Sequence, residues 1–336
     1  MLTPAHTPLV VATRNRHIER IHHGSLVVSD TAGAIVTESG AADAYVFSRS
    51  TLKPFQALPL LRDGGQQYFG LSPTEIAITC ASHSGEQIHI DTVDSLLKKV
   101  GRVEADLQCG CQVPLHYGES NLPPAGSRFD QRHNNCSGKH VGFLGFCALH
   151  GHGQHYLEPD HPLQEDIRRS VARLAGVAEA RLWSGIDGCS APNYGMPLSS
   201  LARLWARLAA GDSGIDSDYD KALRTAATAM ADHPQIVSGT GRCDQAIAQA
   251  SAGDCIGKVG ADGIYTVAVR SRGLGLAVKI ADGGLGALYV TAVRALVQLG
   301  LVAEHPVLAP WIEGHVRSVR GELVGQLESR FELARL

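Results

Sequence analysis

The sequence predicts a mixed α/β (α+β) fold in which one antiparallel sheet is completed from both termini and flanked by helices. β-Branched runs occupy residues 8–14, 24–30 and 33–38, separated by glycines and polar turns, as in an antiparallel meander. Strand-like runs return at 255–260, 264–270 and 273–281, the last two joined by a tight Ser-Arg-Gly turn, and lead into a helix over 284–299. Between these, residues 90–100, 164–174, 198–210 and 217–231 carry apolar positions at three- and four-residue spacing, which marks amphipathic helices packing on the sheet.

The connecting segments follow from local signals. Residues 51–63 change from strand to helix patterning. In SPTEIAITCA, Ser72, Pro73 and Glu75 fit the N-cap, N1 and N3 positions of a capping box, so a short helix delivers Cys80–Ser84 at its end. Glycine, histidine and proline accumulate at 151–163, the one weak boundary in a chain otherwise free of repeats or linkers. With 336 residues and 44% hydrophobic content, the expected organisation is one domain over 1–336, or two intimately packed lobes divided near 151–163.

Composition narrows the function. A net charge of −3 with scattered arginines offers no basic field for nucleic acid or anionic membrane, which favours a small-molecule partner. The amino terminus lacks the pattern of a secretion signal, and no long uncharged apolar run predicts a membrane span, so a cytoplasmic location is expected. Eight cysteines are too sparse for a disulfide scaffold; in a reducing compartment they are free, metal-bound or catalytic.

Five segments concentrate reactive side chains. Ser50 and Lys53 form S-x-x-K, in which a serine nucleophile stands one helical turn from a lysine able to take its proton if burial or nearby cations depress the amine. The plain alternative is an N-capping serine followed by a solvated lysine. Cys80–Glu86 places Ser82, His83, Ser84 and a carboxylate in one loop. His133–His140 combines paired amides, Cys136 and Lys139 immediately before an apolar run, where so many polar groups need partners. Asp187–Tyr194 follows a strand-like segment and precedes a helix, the position of a site-bearing loop. Lys258-Val259-Gly260 ends a β-type run and is similar to the K-T-G strand of serine acyl-transferases.

Taken in order, SRSTLKPFQALPLL, CASHSGEQIH, HNNCSGKHVGFL, DGCSAPNYGMPL and KVGADG resemble the rhizobial-type L-asparaginases over most of the chain. The resemblance implies a fold like that of serine β-lactamases and penicillin-binding proteins, and hydrolysis of L-asparagine to L-aspartate and ammonia. It also implies two Ser-Lys pairs, Ser50 with Lys53 and Ser82 with Lys258. By the same carry-over, Cys136, Lys139 and Cys189 match a zinc site completed by water, and a homodimer is expected. Arg49, beside Ser50, is a candidate clamp for the substrate carboxylate, and Asp187 a candidate partner for its ammonium group or a support for the residues that touch it. Two other readings stand beside this one: a penicillin-recognising acyl-transferase, disfavoured because no S-D-N sequence is present, and a non-catalytic metal- or redox-sensing protein built on Cys136 and Cys189.

Overall fold

The computed structural model describes residues 3–118 and 122–336. Its strands are β1 (Thr7–Arg14), β2 (His17–Ser29), β3 (Ile35–Ser39), β4 (Tyr45–Phe47), β5 (Trp183–Ile186), β6 (Pro192–Pro197), β7 (Cys255–Gly260), β8 (Ile264–Val269), β9 (Leu274–Ile280), β10 (His315–Arg317) and β11 (Leu323–Ser329). Its helices are α1 (Lys53–Gln56), α2 (Leu58–Arg62), α3 (Gly65–Phe69), α4 (Pro73–Thr79), α5 (Gln87–Lys99), α6 (Ser137–His150), α7 (Pro162–Ala175), α8 (Leu198–Ala210), α9 (Ser217–Asp232), α10 (Pro234–Val237), α11 (Cys243–Ala250), α12 (Leu285–Gln298) and α13 (Ala309–Glu313). The chain divides into two compact units, one of Met1–Thr51, Gly195–Ala210 and Ala246–Leu336, the other of Leu52–Tyr194 and Gly211–Gln245. Residues 151–163 lie inside the second unit, spanning the connection from α6 and the first two residues of α7.

The first unit holds the sheet, ordered β10-β11-β1-β2-β9-β8-β7 with β3 paired to β2. The first three strands form the expected meander, and the sheet draws on both chain ends: β2 pairs antiparallel with β9, and β1 with β11. β2 begins at His17, seven residues before the expected start, because its polar first half pairs with β1 across a tight turn at Asn15 and Arg16, both at positive φ. β10 and β11 carry no strand signal in the sequence, since RSVRGELVGQLES is too polar to look like sheet. Helix α8 packs on β9 and β2, with Trp205 fully buried. The close approach requires Gly275: a Cβ there would stand 2.0 Å from the Ala202 carbonyl oxygen.

The second unit is mainly helical. The expected helix over 51–63 is a 3-10 turn, Arg49–Leu52, followed by the short α1 and α2. Pro54 and Pro59 sit in the first turn of each, where a missing N–H is tolerated but a continuous helix is not. Arg62 joins three helices, donating to Asp63, to Asp166 of α7 at 2.6 Å and to Tyr219 of α9 at 2.8 Å. Helix α6 crosses α4 so closely that a Cβ on Gly138 would lie 2.2 Å from the Ile78 carbonyl oxygen. That contact explains the glycine inside the Cys-Ser-Gly-Lys segment.

The capping box of α4 forms as the sequence indicates. The Glu75 N–H donates to Ser72 Oγ at 3.3 Å, and the Ser72 N–H donates to Glu75 Oε2 at 2.7 Å. Glu75 also accepts from Ser95 Oγ and Lys99 Nζ, at 2.8 and 2.7 Å. Burial raises the Glu75 carboxyl, but Lys99, the Ser72 N–H and Ser95 outweigh it and hold the group below its usual 4.5. A carboxyl depressed by folding contributes stability above its unfolded value, and that contribution fades as pH falls through the folded one. Glu75→Gln is therefore expected to cost about 1–2 kcal/mol at neutral pH. In urea unfolding, the difference from wild type should shrink below about pH 4.5; a difference that is constant down to pH 3 would contradict this assignment.

Candidate active site

The second unit gathers a cluster of buried amine, hydroxyl and thiol groups around the start of α1. Lys53, the first residue of α1, is fully buried. Its Nζ donates to the Ala81 carbonyl at 2.7 Å, the Asn135 carbonyl at 3.1 Å and Ser82 Oγ at 2.9 Å. Carbonyls only accept, so two N–H bonds are committed to Ala81 and Asn135, and the third direction faces the one partner that can also donate. An uncharged amine keeps two N–H bonds and directs its lone pair at the Ser82 hydroxyl. Burial is the main force lowering the Lys53 amine, opposed chiefly by Cys136.

Ser82 is fixed through its backbone by the 237–242 segment. Its N–H donates to the Val237 carbonyl at 2.9 Å, and its own carbonyl accepts from Arg242 Nη1 at 2.7 Å. The two segments continue side by side: Ser84 Oγ donates to the Ser238 carbonyl at 2.9 Å, and Glu86 accepts from the Thr240 N–H and hydroxyl at 2.8 and 2.7 Å. Gly239 makes this possible. Its φ is +135°, and a Cβ there would fall 2.0 Å from Ser84 Oγ. His83 accepts from the Gly85 N–H on Nδ1, so Nε2 carries the proton toward Ser137 Oγ at 2.9 Å. Burial keeps this imidazole neutral, far below its ordinary titration range.

The Asn134–Lys139 segment supplies the other wall. Asn134 Nδ2 donates to the Cys109 and Gly110 carbonyls, and its Oδ1 accepts from the Cys136 N–H at 2.8 Å. This leaves the Asn135 carbonyl for Lys53 and starts α6 with Lys139 pointing inward. Lys139 Nζ stands 3.1 Å from Cys189 Sγ. Cys189 comes from a tight turn in which the Asp187 N–H donates to the Ala191 carbonyl and the Ser190 N–H to the Asp187 carbonyl, with Ser190 at φ +67°. Asp187 Oδ1 accepts from the Gly188 N–H at 2.8 Å. The turn leads into strand β6, where the sequence had indicated a continuing loop before the 198–210 helix; burial of all but its last residue hides any alternation.

The Cys136 thiol donates to Asn135 Oδ1 at 3.4 Å. Its proximity, and then Lys139, lower Cys189, and the proximity of Cys189 raises Cys136. Burial pulls Lys139 down, but its neighbours, Cys189 first, outweigh it and hold the ammonium protonated. Two buried lysines in one unit are therefore driven in opposite directions. His140 accepts or donates at Nδ1 with the Tyr156 hydroxyl at 3.0 Å, and its buried Nε2 has no hydrogen-bond partner among the described residues.

The remaining sequence-selected residues lie in the first unit. Ser50 falls within the 3-10 turn that precedes Lys53, directly after Arg49, whose φ is +48°. Arg49 forms an ion pair with Asp262, itself at φ +56°, so its guanidinium already has a carboxylate partner. Lys258, fully buried in β7, donates from Nζ to the Val259 carbonyl at 2.9 Å. The 260 position packs over the same turn, a Cβ on Gly260 meeting the Ser48 carbonyl oxygen at 3.2 Å. Sequence reasoning missed the 237–242 segment and Tyr156. The only signal for the former was an arginine inside a Gly-Thr-Gly-Arg stretch.

An α/β chain with this serine, lysine and cysteine cluster has the parts of an amide-cleaving enzyme. The L-asparaginase II family model matches residues 10–329, and the chain belongs to that family. It is thereby a member of an amidohydrolase family acting on a small molecule. A search of curated proteins found no significant match. Among solved structures, it is similar to a β-lactamase from Mycobacterium bovis, with 14% identity, 83% of this chain and 95% of that one covered, and a TM-score of 0.43. It is also similar to a β-lactamase/D-alanine carboxypeptidase from Pseudomonas syringae, with 12% identity, 84% and 94% coverage, and a TM-score of 0.43. The glutamate form of the protein Mglu is 14% identical over 83% of this chain and 61% of its own, with a TM-score of 0.46. Among the described residues no helix is long and apolar enough to cross a membrane.

Proposed function

We propose that the protein hydrolyses L-asparagine to L-aspartate and ammonia through a serine ester, with Lys53 as the general base. The observation that carries this reading is the buried Lys53 amine, held by two carbonyls with its third direction on Ser82 Oγ at 2.9 Å. An unactivated hydroxyl does not attack a resonance-stabilised amide; it needs a base beside it, and ammonia needs a proton to leave. Ser50 is the nucleophile in this scheme. It is half-buried where Ser82 is 2% exposed, and it stands three residues before Lys53 in the S-x-x-K spacing.

Lys53 takes the Ser50 proton through the Ser82 hydroxyl, its observed partner at 2.9 Å, as the Ser50 oxygen bonds to the side-chain carbonyl carbon. The tetrahedral intermediate collapses with cleavage of the C–N bond, and the proton passes from Lys53 through Ser82 to the departing nitrogen. Water then attacks the aspartyl ester by the same route in reverse, restoring Ser50. Lys258 enters as the lysine matched to Ser82 by its Lys-Val-Gly segment, and Asp187 as partner of the substrate ammonium group. Ser50→Ala and Lys53→Met are expected to lower kcat for ammonia release at least 10³-fold, and Ser82→Ala roughly 10²-fold, with folding retained. Full activity in both serine variants would overturn the scheme.

The donor set of Cys136, Cys189 and Lys139 fits zinc. It offers two sulfurs and an amine 3.1 Å from Cys189 Sγ, soft ligands of the kind zinc prefers, although no group of three His, Cys, Asp or Glu side chains converges among the described residues. Binding would require Cys136 and Lys139 to release their protons. A bound zinc ion would tie the Asn134–Lys139 segment to the turn that carries Cys189 and so support the loops around the substrate. Metal analysis of the purified protein should find about one zinc per chain, lost in Cys189→Ser; unchanged content in that variant would refute the site.

A further inference from the structure

Arg242 combines two properties beyond its hold on the Ser82 and Ser238 carbonyls. It is a half-buried cation, and it forms no ion pair among the described residues. Its Nη1 donates to the Ser82 carbonyl at 2.7 Å and to the Ser238 carbonyl at 3.1 Å, which occupies both N–H bonds of that nitrogen. The Nε–H and one Nη2–H, the edge that accepts a carboxylate in two parallel bonds, have no partner among the described residues. A guanidinium anchored at one nitrogen is fixed in orientation, so its open edge is preorganised.

We infer that Arg242 binds the α-carboxylate of the substrate through its Nε and Nη2 edge, beside Ser82. The inference rests on the asparaginase reading and names its carboxylate subsite. Arg49, the candidate from the sequence, is ion-paired with Asp262, whereas Arg242 has no such competitor. The segment 237–242 then has one task with two ends: Val237 and Arg242 hold the Ser82 backbone, and Arg242 sets the distance from Ser82 to the carboxylate it reads. A lysine would not substitute fully, since a point charge cannot bond the Ser82 carbonyl and the substrate with the same fork.

The test separates carboxylate reading from structural support. L-Aspartate and β-alanine differ only by the α-carboxylate, and their binding to the purified full-length protein can be measured by titration calorimetry. Wild type should prefer L-aspartate, and Arg242→Gln should reduce that preference roughly 10–150-fold, the range for a charge-assisted hydrogen-bonded pair. Arg242→Lys, with its charge retained, should fall between them and provides the reading if the glutamine variant does not fold. An unchanged preference, or equal weakening of both ligands, would overturn the clamp while leaving asparagine hydrolysis intact. Wild-type protein that neither binds L-aspartate nor releases ammonia from asparagine would overturn the asparaginase reading and the clamp with it.

Discussion

A lysine ammonium taken fully out of water is costly unless a counter-charge or several acceptors attend it, and the interior around Lys53 supplies two carbonyls and a hydroxyl. Much of the second unit follows from that requirement. The Ala81 carbonyl is available because α4 ends at Thr79 and the chain turns away, and the Asn135 carbonyl because Asn134 ties the approach to α6 against Cys109 and Gly110. Ser82 is positioned by the 237–242 segment, whose path depends on a glycine at φ +135°. Each of these is a backbone event, and together they place a side-chain nitrogen.

The contrast between Lys53 and Lys139 shows how one environment serves two purposes. Both amines are fully buried, and desolvation acts on both. Lys139 lies against Cys189 and stays charged, while at Lys53 burial, helped by the neighbouring Lys139 ammonium, outweighs the opposing pull of Cys136 and Cys189. Groups whose environments push them apart in this way divide acid and base roles. Here the charged lysine belongs with the cysteine pair and the depressed one with the serine.

Local signals carried much of the architecture. Meander strands, the late hairpin and the α4 capping box were legible because each depends on residues adjacent in sequence. β6 was not, since a buried strand has no polar alternation, and β10 and β11 were hidden by their polarity. The site was legible as a list of residues more than as a set of pairs. S-x-x-K advertises the Ser50–Lys53 spacing, but the Lys53–Ser82 bond joins positions 29 residues apart, and none of the three bonds observed at Lys53 Nζ goes to Ser50. Arg242 lies in a loop without periodicity, so only the fold brings it to Ser82.

The charge on Lys53 is the point on which the catalytic account turns, and it is directly observable. With lysine labelled at Cε, the NMR signal of Lys53 can be assigned by its disappearance in Lys53→Met. The account predicts the shift of an uncharged amine at a pH where an ordinary lysine, titrating near 10.5, is still charged. A signal characteristic of an ammonium group at that pH, in active enzyme, would contradict it.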